Sequence, residues 1–216
     1  MKKYILILFV FTILLSSNSF SQWKSINNGL IGGTVNCIVK NGTITFAGTY
    51  SGGIFLSTDD GNSWNSKNNG LTNLDVYALA VSGNNIFAGT FSGGIFLSTD
   101  YGNTWVAKNT GLTTLNIQTL AVIGSNIFAG TYYGGVFISK NNGESWTQQN
   151  VGLGTIDIRA LAVSGNSLYA VSYGTKNGVY LTNDSGANWK AIHKDEFDTN
   201  FTSIIINGSS IFAGTS

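Results

Sequence analysis

Five tryptophans divide the chain into units of nearly constant length. Trp23, Trp64, Trp105, Trp146 and Trp189 follow one another at intervals of 41, 41, 41 and 43 residues. A fixed period of this size restricts the fold to a stack, ring or array of similar units, since one such unit is too small to bury its own hydrophobic face.

Within the unit that follows Trp64, apolar runs at Val76 to Val81, Ile86 to Phe91 and Ile95 to Ser98 precede a short stretch around Thr104 and Trp105. They are separated by Ser82-Gly83-Asn84-Asn85, Ser92-Gly93-Gly94 and Thr99-Asp100-Tyr101-Gly102-Asn103. Each run has strand length, and each break is a turn-forming cluster. No stretch has the length or 3.6-residue spacing of a helix. Four short strands every 41 residues predict an all-β chain: a β-propeller of four-stranded antiparallel blades. A β-solenoid is the alternative, but its coils come from shorter repeats.

The first residues read differently. Lys2 and Lys3 precede an apolar run from Tyr4 to Leu15, and Ser19 and Ser21 stand before Gln22. That layout predicts a secretory signal peptide over residues 1–21, with export to the periplasm, the cell surface or the medium. About 12 apolar residues are too few to cross a bilayer comfortably. No second long apolar run follows, so no membrane span is expected in residues 22–216, the predicted propeller domain. The single cysteine, Cys37, excludes an internal disulfide. A net charge of +1, with no basic run, argues against a nucleic-acid partner.

Before each tryptophan from Trp64 onward lies a recurring turn. Ser57-Thr58-Asp59-Asp60-Gly61-Asn62-Ser63-Trp64 and Ser98-Thr99-Asp100-Tyr101-Gly102-Asn103-Thr104-Trp105 fit S-x-D-x-G-x-[ST]-W. Ser139 to Trp146 carries Asn141 in place of Asp, with Gly143 kept; Thr182 to Trp189 keeps Asp184 and Gly186 but departs at both hydroxyl positions. These turns resemble the Asp-box, or BNR, repeat of sialidases, sortilin-type receptors, xyloglucanase-like glycosidases and photosystem assembly-factor propellers. The resemblance covers nearly all of residues 22–216. The rest of the unit has a looser likeness to the regulator-propeller repeats of sensor domains. The resemblance implies a structural box, between the third and fourth strands and away from the ligand face. Its Asp accepts backbone N–H bonds, its Gly permits positive φ, and its Trp is an apolar plate between sheets. Asn141 keeps one acceptor oxygen, so its turn is expected to survive.

An enzyme reading meets specific obstacles. A sialidase, by the same resemblance, grips its substrate carboxylate with three arginines; this chain has only Arg159. A xyloglucanase-like enzyme needs two facing carboxylates. Asp75 and Asp157 share one repeat position, 11 residues after a Trp, and are expected to be solvated turn residues. Asp60 and Glu144 lie in box turns. Asp195, Glu196 and Asp198 near His193 lack a defined metal spacing and read as an acidic loop between blades. Cys37 aligns with Ala78, Thr119, Ala160 and Ser203 and reads as a small strand residue. No catalytic residue, metal or cofactor is assigned.

In an antiparallel blade, the turn after the second strand shares a face with the loops between blades. On that face an aromatic recurs 27 residues after each Trp: Tyr50, Phe91, Tyr132 and Tyr173, with Tyr133 following Tyr132. Position 13 is variable: Asn36, Tyr77, Gln118, Arg159 and Thr202. The two additional residues of the fourth unit fall around Gly174-Thr175-Lys176-Asn177. Tyr50, Phe91, Tyr132, Tyr173 and Arg159 are the candidate ligand-binding residues, for an unidentified protein or glycan. The expected function is a secreted, non-catalytic binding or scaffolding module. A glycosidase fragment with its catalytic blades missing, or an extracytoplasmic sensing propeller, are the alternatives. The repeat breaks off at Ile211-Phe212-Ala213-Gly214-Thr215-Ser216, which leads us to expect an incomplete propeller belonging to a longer protein.

Overall fold

The computed structural model describes residues 25–174, 177–194 and 200–216. The predicted signal peptide, Trp23, Thr175-Lys176 and the acidic cluster at 195–198 lie outside these residues. No helix among the described residues is long and apolar enough to cross a membrane.

Among the described residues, four sheets of four strands follow one another. The first runs through β1 (Val35–Asn41), β2 (Ile44–Thr49), β3 (Gly53–Ser57) and β4 (Asn65–Ser66). The second comprises β5 (Val76–Ser82), β6 (Asn85–Thr90), β7 (Gly94–Ser98) and β8 (Val106–Ala107). The third comprises β9 (Ile117–Ile123), β10 (Asn126–Thr131), β11 (Gly135–Ser139) and β12 (Thr147–Gln148). The fourth comprises β13 (Ile158–Ser164), β14 (Ser167–Ser172), β15 (Gly178–Thr182) and β16 (Lys190–Lys194), and a hairpin of β17 (Phe201–Asn207) and β18 (Ser210–Thr215) ends the series. Every sheet is antiparallel with its strands in chain order. The first strands β1, β5, β9, β13 and β17 neighbour one another in that sequence, so the sheets radiate from a common line. The fourth strand of each early blade begins after the Trp rather than at it, because the Trp itself turns inward to pack.

The core lies between blades, not within them. Phe46, Ile54 and Leu56 of the first blade pack with Val76, Ile86, Phe96 and Trp105 of the second. Phe87 and Leu97 meet Ile117, Phe137 and Trp146 in the same way, and Phe128 and Ile138 meet Ile158, Tyr180 and Trp189. Alternation along each strand therefore serves two interfaces, one on either face of each blade.

The recurring turn locks each blade to its predecessor. Asp100 Oδ1 accepts the Ser98 hydroxyl at 2.8 Å and the Thr104 N–H at 2.9 Å, while Oδ2 accepts the Thr104 hydroxyl at 2.6 Å. The Trp105 indole N–H then donates to the Lys67 carbonyl in the preceding blade at 2.9 Å. Trp64, Trp146 and Trp189 donate likewise to Ile26, Lys108 and Gln149. At Asn141 the single acceptor oxygen still takes the Ser139 hydroxyl and the Ser145 N–H, and the amide NH₂ donates to the Ser145 hydroxyl instead of accepting from it.

These bonds favour the charged carboxylate. The Thr104 hydroxyl and N–H hold Asp100 down at about 2, and the Thr182 hydroxyl with the Asn188 amide holds Asp184 at about 2. A folded-state pKa below the unfolded value near 3.8 means stability is present above that value and is lost as pH falls toward 2. The double variant Asp100→Asn/Asp184→Asn, which copies the natural Asn141 turn, should therefore show a flatter stability profile between about pH 4 and pH 2 than the parent. Urea midpoints across that window are the measurement; parallel profiles would refute the assignment.

Candidate functional site

Each aromatic at position 27 follows directly on the second strand of its blade. Its N–H donates to the carbonyl at position 11: Tyr50 to Thr34, Phe91 to Asp75, Tyr132 to Asn116 and Tyr173 to Asp157. That bond holds the aromatic beside the start of the innermost strand. Position 13, in turn, is skipped in the ladder of all five innermost strands: Asn36, Tyr77, Gln118, Arg159 and Thr202 each stand at a register shift. A bulge of this kind re-aims a side chain out of the sheet. The variable residue and the aromatic are thus brought onto one face by backbone geometry.

The structure joins only part of the expected set. The Arg159 guanidinium carbon lies 4.5 Å from the Tyr173 ring centroid and 5.2 Å from that of Tyr132, so the cation is held between rings of two adjacent blades. Tyr133 packs on Tyr132 with centroids 4.2 Å apart and is itself exposed. In the second blade Tyr77 takes the position of the arginine and packs on Phe91 at 5.8 Å. Among the described residues no ring contact links Tyr50 to the others; it lies against its own loop at Gly33.

Asp157 departs from the sequence expectation of a solvated turn residue. It is fully buried, and its Oδ2 accepts from Arg159 Nη2 at 2.9 Å. Burial pushes its carboxyl above the usual range, against the opposing pull of Arg159. Among the described residues, its Oδ1 and the Arg159 Nε have no hydrogen-bond partner. Its sister Asp75 does something different: its Oδ1 accepts the Ser51 N–H at 2.8 Å. The two carboxylates are therefore engaged in separate local roles.

Tyr133 also carries strain. Its φ is +57°, in the left-handed region, where the first two blades place Ser51 and Ser92. For a bulky residue this conformation is an outlier costing about 1 kcal/mol or more.

The remaining candidates resolve simply. Burial pushes the Cys37 thiol up to about 12, consistent with a packing role. His193 packs edge-on against Phe201 at 5.9 Å. Asp60 pairs with Lys40 and Glu144 with Lys108 on the surface. Among the described residues no group of His, Cys, Asp and Glu could hold a metal.

Sequence reasoning missed one repeated device. The Asn109 side chain accepts the Ile95 N–H at 2.8 Å and donates to the Gly93 carbonyl at 3.1 Å, bracketing the turn that follows the aromatic. Asn68 and Asn150 do the same in their blades. The signal was available, since an Asn stands four residues after each of the first four tryptophans.

No family model matches the chain, and no curated protein matches it by sequence. Solved structures do. The extracellular domain of BT4673 from B. thetaiotaomicron is similar over 90% of this chain and 27% of its own, with a TM-score of 0.72 and 18% identity. An ancestral GH74 enzyme is similar over 79% of this chain and 25% of its own, with a TM-score of 0.62 and 25% identity. YCF48 bound to D1 peptide is similar over 84% of this chain and 64% of its own, with a TM-score of 0.60 and 16% identity. The chain thus spans about a quarter of the first two and under two thirds of the third. With sheets that radiate in chain order and cores that lie between them, these likenesses place the chain among the β-propellers.

Proposed function

We propose that this chain is an exported, non-catalytic Asp-box propeller, its first 21 residues a signal peptide, that binds a protein or glycan outside the cytoplasm. The observation that carries the reading is the Tyr132, Tyr133, Tyr173 and Arg159 cluster on the face of the bulged innermost strands. Aromatic rings with one arginine suit recognition, since rings supply contact area at low entropy cost and the guanidinium supplies directed donors. The separate engagement of Asp75 and Asp157 supports a non-catalytic reading over a glycosidase. An extracytoplasmic setting is supported by the leader layout and by the likeness to an extracellular domain. Tyr50 and Phe91 extend the proposed face around the ring.

Tyr133→Asn separates recognition from folding. Asn tolerates the left-handed backbone, so relief of strain offsets the lost ring contact, and stability should stay within about 0.5 kcal/mol of the parent. Binding to a printed oligosaccharide array, or to surface proteins in a pull-down, should fall at least about tenfold, equivalent to roughly 1.4 kcal/mol. Replacing Tyr50, Phe91, Tyr132 and Tyr173 together by Ser should abolish it. Unchanged binding in that fourfold variant would remove the basis of the proposal.

A further inference from the structure

The loop that enters each innermost strand and the turn that follows each second strand form one bonded rim. The Gly53 N–H donates to the Leu74 carbonyl, and the Phe91 N–H donates to the carbonyl of the adjacent Asp75. The pattern repeats as Gly94 to Leu115 and Tyr132 to Asn116, then as Gly135 to Ile156 and Tyr173 to Asp157. Each loop is thus fixed to the turn of the preceding blade on one side and to the turn of its own blade on the other. These bonds, of 2.7 to 3.0 Å, run along one face from the first blade to the fourth.

Apolar side chains stand out along this rim. Leu74 is 39% exposed, Phe91 39%, Leu115 39%, Tyr133 62% and Ile156 40%. The three aliphatic residues share one repeat position, ten residues after Trp64, Trp105 and Trp146. Their carbonyls hold the rim together while their side chains face solvent. Scattered exposed apolar residues need no explanation, but a run held on one face marks an interaction surface. All five residues lie between the first and fourth blades, so their exposure belongs to the interior of the series and not to its ends.

The polar groups of the rim are turned to the loops themselves. Asp75 Oδ1 accepts the Ser51 N–H at 2.8 Å, Asn73 Oδ1 accepts the Asp75 N–H at 2.9 Å, and Asn116 Oδ1 accepts the Ser92 hydroxyl at 3.1 Å. Charge is sparse as well. Segments 68–75, 91–94, 109–116, 132–135 and 150–157 contain no Lys or Arg, and their carboxylates are those of Asp75 and Asp157. Arg159, beside this rim, is already paired with Asp157.

We infer that the rim docks a protein partner through an uncharged, apolar peptide segment, with Leu74, Leu115 and Ile156 as contact residues beside the aromatics. The inference rests on the proposed binding face and names its partner. Chemistry separates that partner from a glycan. A sugar lying across leucine and isoleucine leaves hydroxyls against groups that cannot hydrogen-bond, a desolvation cost that apolar side chains do not incur. An anionic partner meets two carboxylates and a guanidinium already neutralised. An aliphatic or aromatic side chain of a peptide instead removes apolar area on both molecules from water.

The test uses a displayed library of random peptides, each about 12 residues and so up to about 40 Å long when extended. The parent protein should enrich peptides rich in apolar residues and poor in charge, and their affinity should change less than about twofold between low and physiological salt. The triple variant Leu74→Ser/Leu115→Ser/Ile156→Ser should keep the parent's far-UV circular dichroism spectrum and urea midpoint. It should bind the enriched peptides at least about tenfold more weakly, because each truncation removes apolar area from the contact. A library that yields no binder, or one that yields acidic peptides released by salt, would overturn the inference. So would binding, to peptides or to printed oligosaccharides, that the fourfold aromatic variant loses but the triple variant keeps; the proposed binding face would then stand without this partner. Binding that the fourfold aromatic variant leaves unchanged would sink the binding face itself, and the inference with it.

Discussion

Trp105→Ala is expected to destabilise the protein by about 3–5 kcal/mol, the range for emptying a buried aromatic site. Trp105 is buried between the first and second blades, against Phe46, Val76 and Phe96. Truncation leaves a cavity that two rigid sheets cannot collapse to fill. It also removes the indole donor from the Lys67 carbonyl, the bond that ties one blade to the next. For a domain with a total stability of about 5–15 kcal/mol, such a loss is a large fraction. Trp105→Phe keeps part of the packing and loses the hydrogen bond, so a smaller cost of about 1–2 kcal/mol is expected. Urea denaturation followed by circular dichroism reads both. If the Ala variant lies within about 1 kcal/mol of the parent, the tryptophan is not the clamp described here.

The second large effect is predicted at the candidate site. Arg159→Ala leaves Asp157 buried without its counter-ion. Breaking a fully buried pair costs about 3–5 kcal/mol. Arg159 is partly exposed, so solvent screening reduces the expected loss to about 2 kcal/mol at neutral pH. The pH dependence identifies the cause. The Asp157 pKa is already raised in the folded state by burial, and loss of the guanidinium raises it further. A folded-state pKa above the unfolded value means the folded protein binds the extra proton. The stability deficit of Arg159→Ala should therefore shrink as pH falls from 7 toward the unfolded carboxylate value near 3.8. Asp157→Asn in the same background should recover most of the deficit at neutral pH. A deficit that is independent of pH and survives Asp157→Asn would show that lost ring packing, not the stranded carboxylate, is responsible.

The two predictions differ in how far the sequence foresees them. The role of Trp105 follows from period and motif: a bulky apolar residue at a fixed interval, behind a turn with its own hydrogen-bond logic, has few places to go in a repeat fold. The role of Asp157 does not follow. Asp75 and Asp157 occupy the same repeat position, yet one accepts a backbone N–H and the other is buried under an arginine. What separates them is the residue two places later, Tyr77 in one blade and Arg159 in the other, each standing at the bulge of its innermost strand. A bulge leaves little trace in residue type, so nothing in the run of residues shows where position 13 points.

The tryptophan spacing that organises the chain is where sequence and structure part company. By itself, the 41-residue period determined the strand content, the four-strand unit and the antiparallel order, because local turn chemistry and strand patterning are encoded within each unit. It also located the aromatics on one face. Only the tertiary structure decided which of them meet: Tyr132, Tyr133 and Tyr173 gather at Arg159, Phe91 turns to Tyr77, and Tyr50 stays with its own loop. It also decided that Asp157 is buried and that Asn109 brackets a turn. The gathering of Tyr132 with Arg159 depends on contacts between blades. Such contacts are set by the angle and distance at which whole sheets pack, and the periodicity of one strand does not contain them.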